Sequence, residues 1–247
     1  MTAPLLDEGG YPAILYQIVD LGLQPGSQQY PEEQYKMAFN FECLDEFMLD
    51  ADGKELLDTP RTFDYEVSYN PDGFMGERSN IHKVMTAMEG FDKDLEDILY
   101  EGTILTVNLK QQQPLDKKKD MYNKVTGVVK MREKDLKKHS KDSAILPQMF
   151  FELNGAPTKE MWEQVSKRGG KYSHQSKIQN CLELWSEHKT FATEIIGLTQ
   201  PEQVVVENGQ GSGAVEADEG AASSIDTSTE VEGTIPPKDA AEDDPYA

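Results

Sequence analysis

The chain has 247 residues, with 45 Asp and Glu against 24 Lys and Arg and a formal charge of −21. That balance excludes a protein whose whole surface attracts polyanions, so any anion site must lie where the few cations gather. Two cysteines, Cys43 and Cys181, each in an apolar stretch, supply neither a disulfide framework nor a zinc-ligand spacing, and no run reaches the roughly 20 apolar residues of a membrane span.

In chain order, Tyr11 to Leu23 is apolar and β-branched and ends at a Gly-Leu-Gln-Pro-Gly loop, which predicts a first strand. From Tyr35 to Phe47 the residues alternate. Tyr35, Met37, Phe39, Phe41 and Cys43 fall on one face, and Lys36, Asn40 and Glu42 on the other, which predicts a half-buried second strand. Asp50, Asp52 and Gly53 form a turn, and the later acid that a calcium loop needs is missing. A third strand from Arg61 to Tyr69 places Phe63, Tyr65, Val67 and Tyr69 on one side and the acidic set Thr62, Asp64, Glu66 and Ser68 on the other. Ser79 or Asn80 caps a helix with apolar positions at Ile81, Val84, Met85 and Met88, stopped by Gly90. A helical turn around Leu95, Ile98 and Leu99 leads into a fourth strand over Gly102–Leu109. A lysine-rich loop and a fifth strand over Met121–Met131 follow.

Beyond residue 141 the pattern is weaker. Ile145 to Leu153 is apolar and interrupted by Pro147, and Thr158 to Val165 and Ser176 to His188 read as helices. Residues 201–247 carry 12 acids and one lysine with little apolar content, so they are expected to be disordered. The organisation is therefore residues 1–141, residues 142–200 as a mixed or helical extension, and residues 201–247 as an acidic tail.

Three strands, a helix and two strands is the order of the OB-fold, a five-stranded barrel. Several segments point the same way. Gly10–Gln24 (GYPAILYQIVDLGLQ), Phe41–Glu46 (FECLDE), Glu77–Lys83 (ERSNIHK), Phe91-Asp92, Ile98-Leu99, Thr103–Val107 and Tyr122–Val128 (YNKVTGV) together resemble phage-encoded single-stranded DNA-binding proteins of the OB-fold kind. The resemblance covers roughly half the chain, and its weight lies in order and spacing. The ending EDDPYA is similar to the acidic, aromatic-ended tails of such proteins, with Ala247 after Tyr246 as a departure. Residues 142–200 have no clear counterpart.

The resemblance implies a protein that coats exposed single strands in replication or recombination, without cofactor, metal or covalent chemistry. It also implies a place in the cytoplasm, that of the host if the chain is phage-encoded. The opening residues, which lack a basic region before an apolar run, suit a cytoplasmic protein too. Single strands need cations along the phosphates and flat side chains against the bases. Residues 110–141 hold 11 bases and 4 acids, the most strongly basic stretch of the chain. The expected phosphate contacts are Lys110, Lys117, Lys118, Lys119, Lys124, Lys130 and Arg132, with Lys36 at the start of the second strand. Tyr122, Tyr30 and Tyr35 are the expected stacking residues, although Tyr35 shares a face with Phe39 and Phe41 and is equally suited to the core. The plainer reading of the loop is a solvated stretch whose charge offsets an acidic barrel. Lys167, Arg168, Lys171, Tyr172 and His174 form a second basic and aromatic cluster. His82, His139, His174 and His188 are isolated in sequence, so no catalytic pairing is expected. In the tail, Glu242, Asp243, Asp244 and Tyr246 suit a peptide that competes for a basic groove or docks replication or recombination proteins. A protein-interaction or virion component without DNA affinity is the alternative, and a metal-dependent nuclease using Asp50 and Asp52 is a third possibility.

Overall fold

The computed structural model describes residues 3–26, 31–114, 118, 120–167 and 170–200. The fold is mainly β. Its elements are β1 (Gly9–Gln24), β2 (Gln34–Leu49), β3 (Glu55–Tyr69), α1 (Asn80–Met88), α2 (Leu95–Tyr100), β4 (Ile104–Gln112) and β5 (Tyr122–Lys130). After these come α3 (Glu133–Leu136), β6 (Met149–Phe151), α4 (Lys159–Gln164) and α5 (His174–Gln179).

The strands form one six-stranded sheet in the order β3-β2-β1-β4-β5, with β6 also on β1. All pairings are antiparallel except the short parallel one between β6 and β1. One edge of β1 pairs with β2 from Ala13 to Gln24. The other edge is shared, Gly9–Ile14 with β4 and Gln17–Val19 with β6. The strand changes neighbours through a register shift between Leu15 and Gln17, and it shifts again between Asp20 and Gly22. Gly22 sits at φ 70°, and a Cβ there would stand 2.9 Å from Glu183 Oε1 and 3.1 Å from Cys181 Cβ. Only glycine suits both the backbone and the space.

The expected barrel is not closed. β3 and β5 form no ladder with each other among the described residues, and the sheet is open. Helix α1 packs against both strands instead. Its N-terminus is capped by the Ser79 hydroxyl, which accepts from the His82 N–H at 3.2 Å. Ile81, Val84, Met85 and Met88 face the core, at the 3- and 4-residue spacing of one helix face. The helix ends at Glu89, in the left-handed region at φ 52°. Gly90 follows where a Cβ would lie 2.4 Å from Ile98 Cδ1, so its small size is a packing requirement.

Two large cores share the sheet, beside a small cluster of Ile14, Ile104 and Met131. The first gathers Leu15, Ile18, Phe39, Phe41, Leu105 and Val107 under α1 and α2, with Phe63, Tyr65 and Tyr69 of β3 packed against it. The second lies on the opposite face. Val19, Leu21 and Ala38 of β1 and β2 meet Phe151, Leu153, Trp162, Ile178, Leu184 and Phe191 there. Among the described residues, 142–200 thus have no core apart from the sheet, and contacts place them in one unit with it. This corrects the half-buried reading of β2, since Asn40 and Glu42 are 4 % and 0 % exposed. The helix expected over 176–188 is cut short. α5 ends at Gln179, and turns then carry the chain to a single π-helical turn over Phe191–Ile195. The acidic tail lies outside the described residues.

Candidate nucleic-acid interface

The β4–β5 hairpin brings three of the expected site residues together. Lys110 stands directly opposite Lys124, and Gln112 opposite Tyr122. Residues two apart on a strand share a face, so Lys110, Tyr122 and Lys124 project from the same side. All three are exposed, Tyr122 at 44 %. The other side of the hairpin is spoken for. Leu109 and Val125 enter the core. Gln111 and Asn123 hold the N-terminal segment, Gln111 Nε2 and Asn123 Nδ2 donating to the Leu6 carbonyl at 3.0 and 2.8 Å. Lys118, in the loop between the strands, is also exposed. Lys117, Lys119 and Tyr30 lie outside the described residues, as do Glu242, Asp243, Asp244 and Tyr246.

The remaining cations are placed differently. Lys130, at the far end of β5, pairs with Glu89 at 2.5 Å, and Arg132 pairs with Asp135 at 3.2 Å. Lys130 borders a groove of about 660 Å³ between α1 and β5, with His82, Lys83, Val128 and Val129 along it. Lys36 is half-buried on β2, opposite Gly22 and Ser68. Tyr35 stands opposite Leu23, at the other end of β1 from the residues that pair with β4. Its ring lies 5.8 Å from that of Tyr69. The Glu183 charge and its hydrogen bond to the Tyr35 hydroxyl hold that phenol above its usual pKa, with Glu187 and Asp20 adding to the effect. An acidic setting of this kind disfavours an approaching phosphate. Along β1, then, Tyr35 and the lysine hairpin sit at opposite ends.

The acidic side of β3, which looked ill-suited to a nucleic acid, is partly covered, with Glu66 half-buried and Asp64 still exposed. Lys177 of α5 forms an ion pair with Glu66, and His174 Nε2 lies 3.6 Å from both Asp64 and Glu66. The neighbouring His174 imidazole, with Lys177 adding to it, holds Asp64 below its ordinary pKa although burial opposes the shift. On β2, the Glu42 carboxylate accepts the Ile145 and Leu146 N–H groups at 2.7 and 2.9 Å. Burial raises its pKa while these two bonds oppose the rise. Asn40 donates to Gln17 at 2.9 Å, and Gln17 donates to the Gln164 carbonyl at 3.4 Å. So His174 and Lys177 seat the extension on β3, while Arg168 lies outside the described residues.

Several groups that bear on chemistry were not visible beforehand. His174 and His188 are not isolated in space. Each faces carboxylates, and the clusters Asp64, Glu66, His174 and Glu183, Glu187, His188 are compact enough to hold an ion. The second was readable in part, since Glu183 and Glu187 lie only five and one residues before His188 in the sequence. Asp20 is buried, accepting from Gly22 N at 3.0 Å and the Tyr69 hydroxyl at 3.2 Å, and desolvation raises its pKa. Cys43 and Cys181 are buried free thiols, each pushed up to about 12 by desolvation, which leaves them unreactive. Asp50 closes the β2–β3 turn by accepting from the Asp52 and Lys54 N–H groups at 2.9 Å each, as a hairpin residue does. No helix among the described residues is long and apolar enough to cross a membrane. No family model matches the chain, and neither a curated protein nor a solved structure matches it.

Proposed function

We propose that the protein binds single-stranded DNA without chemistry, through the outward face and loop of the β4–β5 hairpin, and coats strands exposed in replication or recombination. One observation carries the reading: two lysines directly opposite each other, with an exposed tyrosine two residues along the same face. Like charges on facing strands cost stability, so a Lys110–Lys124 pair in an acidic protein is best accounted for by an anion that joins them. Tyr122 supplies a flat face beside them, which is the second need of a single-strand site. The loop lysines 117–119 extend the cationic path in sequence, with Lys130 and Arg132 released from their exposed pairs as strands bind.

The strand order β3-β2-β1-β4-β5, with α1 between β3 and β4, supports an OB-fold ancestry in which α1 stands where the last two edges would meet. In this chain residues 142–200 pack on the outer face of β1 and β2 and reach Glu66 of β3, which moves the site to the hairpin. Tyr35, Tyr30 and Lys36 then have at most an accessory part. The tail, with 12 acids and one lysine over residues 201–247, competes for the same lysines, and Glu242, Asp243, Asp244 and Tyr246 recruit replication or recombination partners when DNA displaces it.

A salt titration of binding to an unstructured oligonucleotide tests this. Each phosphate contact contributes about −0.7 to the log–log slope, so Lys110→Ala/Lys124→Ala should flatten it by about 1.4. A chain ending at Gln200 should bind more tightly than the full chain at low salt. Absence of any salt-sensitive binding would favour a protein-interaction role instead.

A further inference from the structure

Glu183, Glu187 and His188 follow α5 and close on the end of β1. The Glu183 carboxylate is nearly buried and accepts the Leu23 N–H at 3.1 Å. The His188 side chain is 4 % exposed, and its Nε2 points at that carboxylate from 3.7 Å, too far for a hydrogen bond. That nitrogen is buried and has no hydrogen-bond partner. An orphaned polar atom in such a place calls for an explanation, because its desolvation is otherwise uncompensated. The surrounding charge sharpens the point. Asp20, Glu183 and Glu187 all act on the Tyr35 hydroxyl with the same negative sign.

One ligand atom from each of Glu183, Glu187 and His188 lies within 4.8 Å of the others. In a tetrahedral site with bonds of about 2.1 Å, ligand atoms sit about 3.4 Å apart, so the observed 3.7 Å needs only a small contraction. We propose that Glu183, Glu187 and His188 Nε2 bind a divalent transition-metal cation, of which zinc is the best fit, with the remaining position open to water. The cation gives the orphaned nitrogen a partner and offsets the clustered carboxylates. An imidazole nitrogen beside two carboxylates selects zinc over magnesium or calcium, which prefer all-oxygen sets. Through the bond from Leu23 to Glu183 it would tie the extension to β1. The cluster of Asp64, Glu66 and His174 is a weaker candidate, because Lys177 already supplies its cation.

The experiment is calorimetric titration of the full-length protein, stripped by chelator and dialysed, with zinc and then with magnesium. One zinc site is expected, unaffected by excess magnesium. Glu187 is exposed, so Glu187→Gln should leave the fold intact while weakening zinc about tenfold or more. Glu66→Gln and the distant exposed Glu163→Gln should bind zinc as the parent does. His188→Asn repeats the test at the imidazole, with Glu187→Gln decisive if that buried variant fails to fold. No zinc binding, or binding that Glu187→Gln leaves unchanged, overturns the proposal. So does binding lost in Glu66→Gln alone, which would assign the ion to the other cluster.

Discussion

The outward faces of β1–β3 and of β4–β5 belong to one sheet yet meet different surroundings. On the first, Gln17, Glu42 and Glu66 meet partners from residues 142–200, His174 stands beside Asp64, and Asn40 bonds to Gln17 within the sheet. On the second, Lys110, Tyr122 and Lys124 are exposed. The difference teaches that a polar strand face does not announce water. Glu42 of β2 and Glu66 of β3 are complements to a cover made of the same chain, and their hydrogen bonds and ion pair tie it to the sheet. The hairpin face has matching polarity without that cover, which is why we place the ligand there.

The strongest way to break the comparison is to damage the cover. Phe151 is fully buried, with its ring 6.3 Å from that of Trp162 and 5.9 Å from that of Phe191. Phe151→Ala should destabilise the protein by about 3–5 kcal/mol in urea unfolding, through lost burial and the cavity left behind. Val129→Ala, at a 47 % exposed position on β5, should change it by about 0.5 kcal/mol or less. Comparable losses at both sites would mean that the two faces are not differently covered.

A second test asks whether the open face meets bases. Tyr122→Ala should weaken single-strand binding by about 1–3 kcal/mol if the ring stacks. Its exposure predicts an almost unchanged melting temperature, so affinity and stability can be read separately. Equal affinity in a folded Tyr122→Ala protein would remove stacking from the proposal.

Much of this architecture was legible. Alternation in β2 and β3 and the 81, 84, 85, 88 spacing of α1 gave the elements and the inner faces, because one side of each buries apolar residues in the usual period. Ser79 as a cap was readable from its own chemistry. The second face was not. Asn40 and Glu42 alternate with Phe39 and Phe41 as solvent residues do, and nothing local reveals that Ile145 and Leu146, more than a hundred residues on, donate to Glu42. The open edge between β3 and β5 was hidden for a similar reason, since pairing between distant strands leaves no local mark. At the candidate site, the lysine loop and Tyr122 stood out by density of charge. That Lys110 and Lys124 face each other needed the register, and that Tyr35 answers to Glu183 needed the fold.

The smallest effect is the most specific. Lys110 and Lys124 are cross-strand partners of like charge, an arrangement that costs about 0.2–1 kcal/mol relative to a neutral pair. Lys124→Gln should therefore raise stability by a few tenths of a kcal/mol at low salt. The gain should fade as added salt screens the repulsion, because both side chains are exposed. The same change should weaken DNA binding and flatten its salt slope by about 0.7. Opposite signs for stability and binding are what a site kept for its ligand produces. A purely solvated face would show the stability gain with binding untouched. A fall in stability would mean that Lys124 answers a negative group, and the case for an anion between the two lysines would then fail. Calorimetric melting at low and high salt, beside the binding isotherms, separates the three outcomes on one variant.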